Sequence, residues 1–543
     1  MTNVTKSYLP PITMSYFTNR LGKLNEYRIL QSVSLGYISL PTIIFILGWI
    51  KPVYSIPLTF LILAGLYYSI KAGWNFTFIR EEISDSSGEK KKQKSNTNFF
   101  AFFSTPVVFY GSTLILVILA VLFSGVGGYS IQDVDYVKHN AFFMDLTKYS
   151  WPLSYEKTGP DDLPRYLNTY LGYYLPSALV GKMLGFPFGY FFSFVWVCIG
   201  LFITLLWISR FTSKRSVLYL ALFIFFGELA YFGWAKNLPD LNLYGENYNY
   251  ANWMFYLAQQ SPEVKGLFWI LGSNHAFLAN GPHHIFPSWI CILMIFHDSI
   301  FRKKIDRIPF IFSFVPFVSA FMAIGLAPFL LLSTLQNRFN KIFTFQNIVV
   351  APLLIIIAAL YLLSNNALIE KGWIWNYIDI GDVWIYLFQF FLLSFGLYFI
   401  LIPKKVTNFP AKTMIQWLYV SVFCIFLFTF YRMGNYMDFP IKAYNPSWII
   451  FQVCIISAIS YTVTFIDRIR VSILILLLMV GSIGAFSNFK FAWKNKLFTH
   501  KITEQNSQHI NLVGSKVESL TLFSDGKTFF WQVLAKKPIL IKN

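Results

Sequence analysis

Apolar runs of about twenty residues recur along this chain, separated by short basic loops, and they constrain its fold more than any other feature. As a helix, each run reaches the ~30 Å needed to cross a hydrocarbon core. The shortage of charge agrees: 13% of the 543 residues are charged and 56% are hydrophobic, where a soluble domain carries roughly 25% charged residues. The length therefore belongs to one membrane domain of many spans, not to several soluble domains.

The net charge of +19 does not point to nucleic acid. Lys and Arg cluster in the short loops, as the positive-inside bias predicts. An anionic lipid-linked substrate is a second reason for the excess. Cys198, Cys291, Cys424 and Cys454 all fall inside apolar runs without metal spacing and read as packing residues. No cleavable leader is expected. The first run, beginning near Leu30, is long enough to stay as an anchor.

Taken in order, residues 1–28 read as a cytoplasmic segment, 29–487 as the membrane domain and 488–543 as a small extracytoplasmic tail. Spans are expected at 29–50, 53–72 and 99–126. The polar loop at 73–98, with its EKKKQK run, is cytoplasmic. Three crossings put the next loop outside. Residues 166–185 are placed in the interface, because a crossing there would turn Arg210, Lys214 and Arg215 outward. Further runs lie at 188–209, 217–234, 283–300, 345–363, 383–402, 414–430, 448–466 and 471–486. Residues 309–335 are too long for one span and read as a tight pair of short helices, broken at Pro316, Gly325 and Pro328. The expected fold is an all-α polytopic membrane protein of about 13 transmembrane helices, with a large first extracytoplasmic loop carrying interfacial helices.

That first loop holds GYSIQDVDYVKHNAFFMDLTKYSWPLSYEK (128–157), the densest group of acids in the chain together with a histidine. In an extended segment Asp133 and Asp135 point the same way and could share one divalent cation, Mg2+ or Mn2+. They could equally cap the helix that begins near Tyr136. A carboxylate here could also take the proton of an acceptor hydroxyl. His139, four after Asp135, shares its face on a helix and could touch a metal or a phosphate. Asp145 reads as structural. Arg165, Lys182, Arg432 and Lys442 are basic residues on the outer side, against the positive-inside trend, and suit a lipid phosphate. Snorkelling to headgroups is their plainer reading. His275, His283 and His284 lie close together in the second outer loop and favour hydrogen bonds to phosphate or sugar. Trp253, Trp269 and Trp289 could stack on a sugar, and the aromatic belt is their plainer reading.

The layout resembles the GT-C superfamily of polytopic glycosyltransferases, here of bacterial type. Those proteins carry an acidic motif in a large first outer loop just after a span, and Asp133 and Asp135 match it by position. The stretches YLGYYLPSALVGK (170–182), PHHIFPSW (282–289) and MGNYMDFPIKAYNPS (433–447) are similar to bacterial membrane proteins of this kind. The layout differs in placing two spans ahead of the one leading into the acidic loop.

The resemblance implies an enzyme of the bacterial inner membrane working on its extracytoplasmic face. It would move a hexosyl or pentosyl group from a polyprenyl-phosphate sugar donor to a glycan, lipid or protein acceptor. Asp135, ahead of Asp133, would be the base, and basic outer-loop residues would hold the lipid phosphate. Two other classes compete. A polymerase or ligase of undecaprenyl-linked glycans would depend on Arg432, Arg165 or a histidine. A transporter would need ionisable residues within its spans, of which Glu228, His297 and Asp298 are the candidates.

Overall fold

The computed structural model describes residues 14–75, 106–130, 132, 135–155, 165–213, 215–227, 273–365, 371–376, 395–401, 411–433, 438–461, 465–482, 493 and 523–541. It is mostly helical. The helices are α1 (Met14–Trp49), α2 (Pro52–Trp74), α3 (Pro106–Leu122), α4 (Asp135–Lys148), α5 (Leu175–Leu184), α6 (Phe186–Ser209), α7 (Val217–Phe225), α8 (Asn274–Asn280) and α9 (Pro282–His297). They continue as α10 (Ile308–Phe312), α11 (Ala320–Gln336), α12 (Ala351–Leu362), α13 (Gly396–Leu401), α14 (Ala411–Thr429), α15 (Asp438–Ala443), α16 (Asn445–Ser460) and α17 (Phe465–Gly481). Among the described residues four helices are long and apolar enough to cross a membrane: Asn25–Trp49, Pro52–Trp74, Phe186–Ser209 and Pro282–Arg302. Other apolar helices have 10–17 residues. At their longest these reach about 25 Å, near the lower limit for a span. Residues 228–234 of the expected run 217–234, and 383–394 of the expected run 383–402, lie outside the described residues.

Local signals account for many boundaries. Proline opens α2, α5, α6 and α9, where its missing N–H costs nothing. Ser273 and Ser319 cap α8 and α11 by accepting from Ala276 N–H and Met322 N–H. The expected pair of short helices in 309–335 is present. Its break falls at 313–319 around Pro316, whereas Gly325 and Pro328 lie inside α11. Helix α5 has ten residues, about half a membrane thickness. Gly185, at φ 98°, turns it directly into α6, a backbone conformation that suits glycine.

Helix α9 is the axis. Its apolar window is 94% buried, and it packs on α1, α6, α11 and α16. Its C-terminal end carries a buried ion network. Arg302 pairs with Asp298 at 2.6 Å and with Asp306 at 3.0 Å. Arg307 grips both oxygens of Asp298, at 2.7 and 3.0 Å. It also donates to Tyr27 OH, Gln31 and the Ser69 carbonyl, while Arg302 reaches the Ala72 carbonyl. The network thus ties α9 to α1 and α2. Close by, Arg210 and Arg215 pair with Glu26 of α1, so the C-terminal end of α6 lies at this same basic end. That is the arrangement expected if residues 166–185 do not cross.

The opposite end gathers the loops, and here the molecule departs from an all-helical reading. Strands β1 (Leu153–Tyr155), β2 (Arg165–Leu167), β5 (Phe523–Ser524) and β6 (Ile539–Ile541) form one sheet in the order β5-β2-β1-β6. The C-terminal segment therefore completes a sheet begun by the first long loop. It is held further by Lys536 N–H on the Trp49 carbonyl (2.7 Å), Lys51 N–H on Leu534 (2.9 Å) and Trp531 Nε1 on Ser364 Oγ (3.1 Å). Strands β3 (Lys371–Trp373) and β4 (Tyr431–Met433) pair antiparallel, joining two further loops.

Candidate functional site

The first long loop is fixed on α6 before it reaches the site. Gln132 donates to the Gly125 carbonyl and to Tyr190 OH, both at 2.8 Å. Asn140 of α4 donates to Gln132 Oε1, and Tyr190 OH donates to Asn140 Oδ1. Asp145, buried, accepts from Tyr155 OH at 2.8 Å, which is the structural role expected of it. Lys182 donates to the Tyr149 carbonyl and lies over the Trp151 ring, so its ammonium holds the C-terminal side of α4.

Anchored in this way, α4 brings His139 against the start of α9. The ring centroids of His139 and His283 are 4.2 Å apart, and those of His283 and His284 are 4.0 Å apart. Tyr174 OH and His139 Nδ1 share a hydrogen bond of 2.5 Å. Tyr173 packs edge-on to His283, and Tyr170 edge-on to His284. Helix α15 adds Lys442, whose ammonium is 2.7 Å from Asp438 Oδ1. Burial, and after it the charges of Lys138 and Lys442, hold the His139 pKa well below the usual histidine range. Asp438 keeps 42% of its side-chain surface accessible. Burial opposes its charge, but Lys442 and then Lys138 outweigh this and keep its carboxyl below the usual carboxylate range.

Of the residues singled out from the sequence, His139, His283 and His284 thus meet in one cluster, and Lys442 acts electrostatically on all three rings. Arg165 is in β2, in register with Tyr155, and Arg432 is in β4, opposite Gly372. Position 135 opens α4, one turn before His139. The Asp135 carboxyl lies outside the described atoms and Asp133 outside the described residues, so the Mg2+ or Mn2+ site expected of the pair does too. Among the described residues no group of three or more His, Cys, Asp or Glu side chains could hold a metal ion. His275 is not part of the cluster. It is fully buried on α8, its Nε2 3.2 Å from the Ala120 carbonyl. Trp289 is likewise a core residue and not a belt residue, donating to Asn445 Oδ1 at 2.7 Å.

Sequence reasoning missed Asp438, Lys138 and the tyrosine wall. The signals were the Asp438/Lys442 spacing of one helical turn and the tyrosines of YLGYY (170–174). An apolar groove lined by Phe399, Tyr419, Val422, Phe423 and Phe426 is remote in chemistry from this cluster. Its Tyr419 and Phe423 belong to the large hydrophobic surface a bilayer would cover.

Compared with protein-family models, curated proteins and solved structures, the chain matches none.

Proposed function

We propose that this chain is a membrane glycosyltransferase of the GT-C type. It moves a sugar from a polyprenyl-phosphate donor to an acceptor hydroxyl on the outer face of a bacterial inner membrane. The observation that carries the reading is the meeting of three distant segments, α4, the YLGYY stretch (170–174) and the start of α9, in one cluster of imidazoles and tyrosines on which Lys138 and Lys442 act electrostatically. The acidic loop leads into this cluster, and the basic network lies at the other end of α9, where the positive-inside bias places the cytoplasm.

In this reaction Asp135 takes the proton of the acceptor hydroxyl, and the acceptor oxygen attacks the anomeric carbon. The bond from that carbon to the phosphate oxygen breaks, and the polyprenyl phosphate leaves with the electron pair. Lys442 and the imidazoles stabilise the charge gathering on the phosphate. Tyr170 and Tyr173 offer aromatic faces and hydroxyls to the sugar.

The test is transfer of a labelled sugar from a polyprenyl-phosphate donor by the full chain in proteoliposomes. Asp135→Asn is expected to lower transfer about 100-fold or more. Full activity in Asp135→Asn removes its role. Full activity there together with loss in His283→Gln favours the polymerase or ligase class.

A further inference from the structure

His284 ends the row His139, His283, His284. It is 3% exposed, and neither of its ring nitrogens has a hydrogen-bond partner; the Val318 carbonyl is close, but outside hydrogen-bond geometry. A buried polar group left unpaired costs about 1–3 kcal/mol, which is a reason to look for a ligand that arrives there. His283 and His284 also stand on the first turn of α9, whose N-cap, Gly281, offers no side-chain cap. The dipole of a helix start favours an anion.

The groups facing the row come from three further elements. Lys138 and Tyr136 are on α4, Tyr170, Tyr173 and Tyr174 precede or open α5, and Lys442 and Asp438 are on α15. Asp438 is tied to Lys442. Two rings about 4 Å apart beside two ammonium groups do not both take a proton. An incoming anion changes that balance and lets one ring be charged.

We propose that the histidine row is a proton-accepting phosphate site, which binds the lipid phosphate monoester left after transfer and takes up one proton as it does so. This rests on the glycosyltransferase reading for the identity of the ligand. The donor is a phosphodiester carrying one negative charge. When its sugar–oxygen bond breaks, the phosphate becomes a monoester of about −1.5 to −2. The proton released by the acceptor hydroxyl passes from Asp135 into the row at His139, one helical turn on, and rests on the His283–His284 pair. An O–H bond is lost and an N–H bond is formed, with no change of oxidation state. The new N–H donates to a phosphate oxygen. Site and product thus gain opposite charge in the same step.

The experiment uses the full chain in nanodiscs, with two probes: farnesyl phosphate and inorganic sulfate, which stays dianionic between pH 6 and 8. Calorimetric titration in buffers of different ionisation enthalpy counts the protons bound with each. Uptake of about one proton is expected for both, and affinity for sulfate should fall about tenfold per pH unit as the pH rises. The uptake should vanish in His283→Gln and in His284→Gln, each checked for folding by its thermal transition. Tyr174→Phe keeps the ring wall and should retain uptake with altered affinity. Binding without proton uptake, uptake unchanged in the histidine variants, or no binding of either probe overturns the proposal. Proton-linked binding in a wild-type chain that transfers no sugar overturns the glycosyltransferase reading and leaves the anion site standing. Sugar transfer without proton-linked binding does the reverse.

Discussion

At Gly325 a Cβ atom would lie 1.8 Å from the carbonyl oxygen of Ala443. That contact lets α11 run against the end of α15, the short helix that presents Asp438 and Lys442. Gly325→Ala must push the two backbones apart, at a cost of about 1–3 kcal/mol. Its expected signs are a lower melting temperature and weaker binding of farnesyl phosphate, both read on the protein in nanodiscs. An unchanged melting temperature would contradict the close approach. This scale also shows why only part of the site could be read beforehand. His139, His283, His284 and Lys442 stand out as polar residues in loops of an apolar chain. Asp438 does not, because a carboxylate one turn before a lysine is an ordinary helix-surface pair. Tyr170, Tyr173 and Tyr174 look like interfacial tyrosines until α4 and α9 are seen beside them. Trp289 looked like a belt residue for the same reason, and its partner Asn445 is 156 positions away.

Among the elements, α9 couples the two ends of the molecule. It begins at the histidine row and finishes in the Asp298, Arg302 and Arg307 network, so movement of its N-terminal turn is limited by what holds its C-terminal end. Arg307 is fully buried. Removing it leaves the Asp298 carboxylate in the interior with one cation fewer, and Arg307→Ala should destabilise the protein by about 3–5 kcal/mol. Chemical or thermal unfolding in mild detergent checks this, and a loss below about 1 kcal/mol would mean that the network is not closed as described. In the sequence RKKIDR (302–307) reads simply as a basic loop. Its partners Tyr27, Gln31, Ser69 and Ala72 belong to α1 and α2 and give no local sign of it. The break at 313–319, by contrast, was legible, because Pro316 interrupts an apolar run too long for one helix.

For the whole molecule, the alternation of apolar runs and basic loops already implied two ends of different character, and the packing of α1, α2, α6 and α9 follows it. The C-terminal strands were not legible. β5 and β6 have two and three residues, too few to show a period, and their partners lie in the first long loop. The proposal that α4, the start of α9 and Lys442 of α15 serve a single phosphate site is open to one decisive experiment. A prenyl phosphate carrying a photoreactive group is crosslinked to the full chain in nanodiscs and mapped by mass spectrometry. Label is expected in 136–148, 282–289 and 438–444, lost on addition of excess farnesyl phosphate. Label confined to one of these segments, or gathered around Arg302 and Arg307, would contradict it.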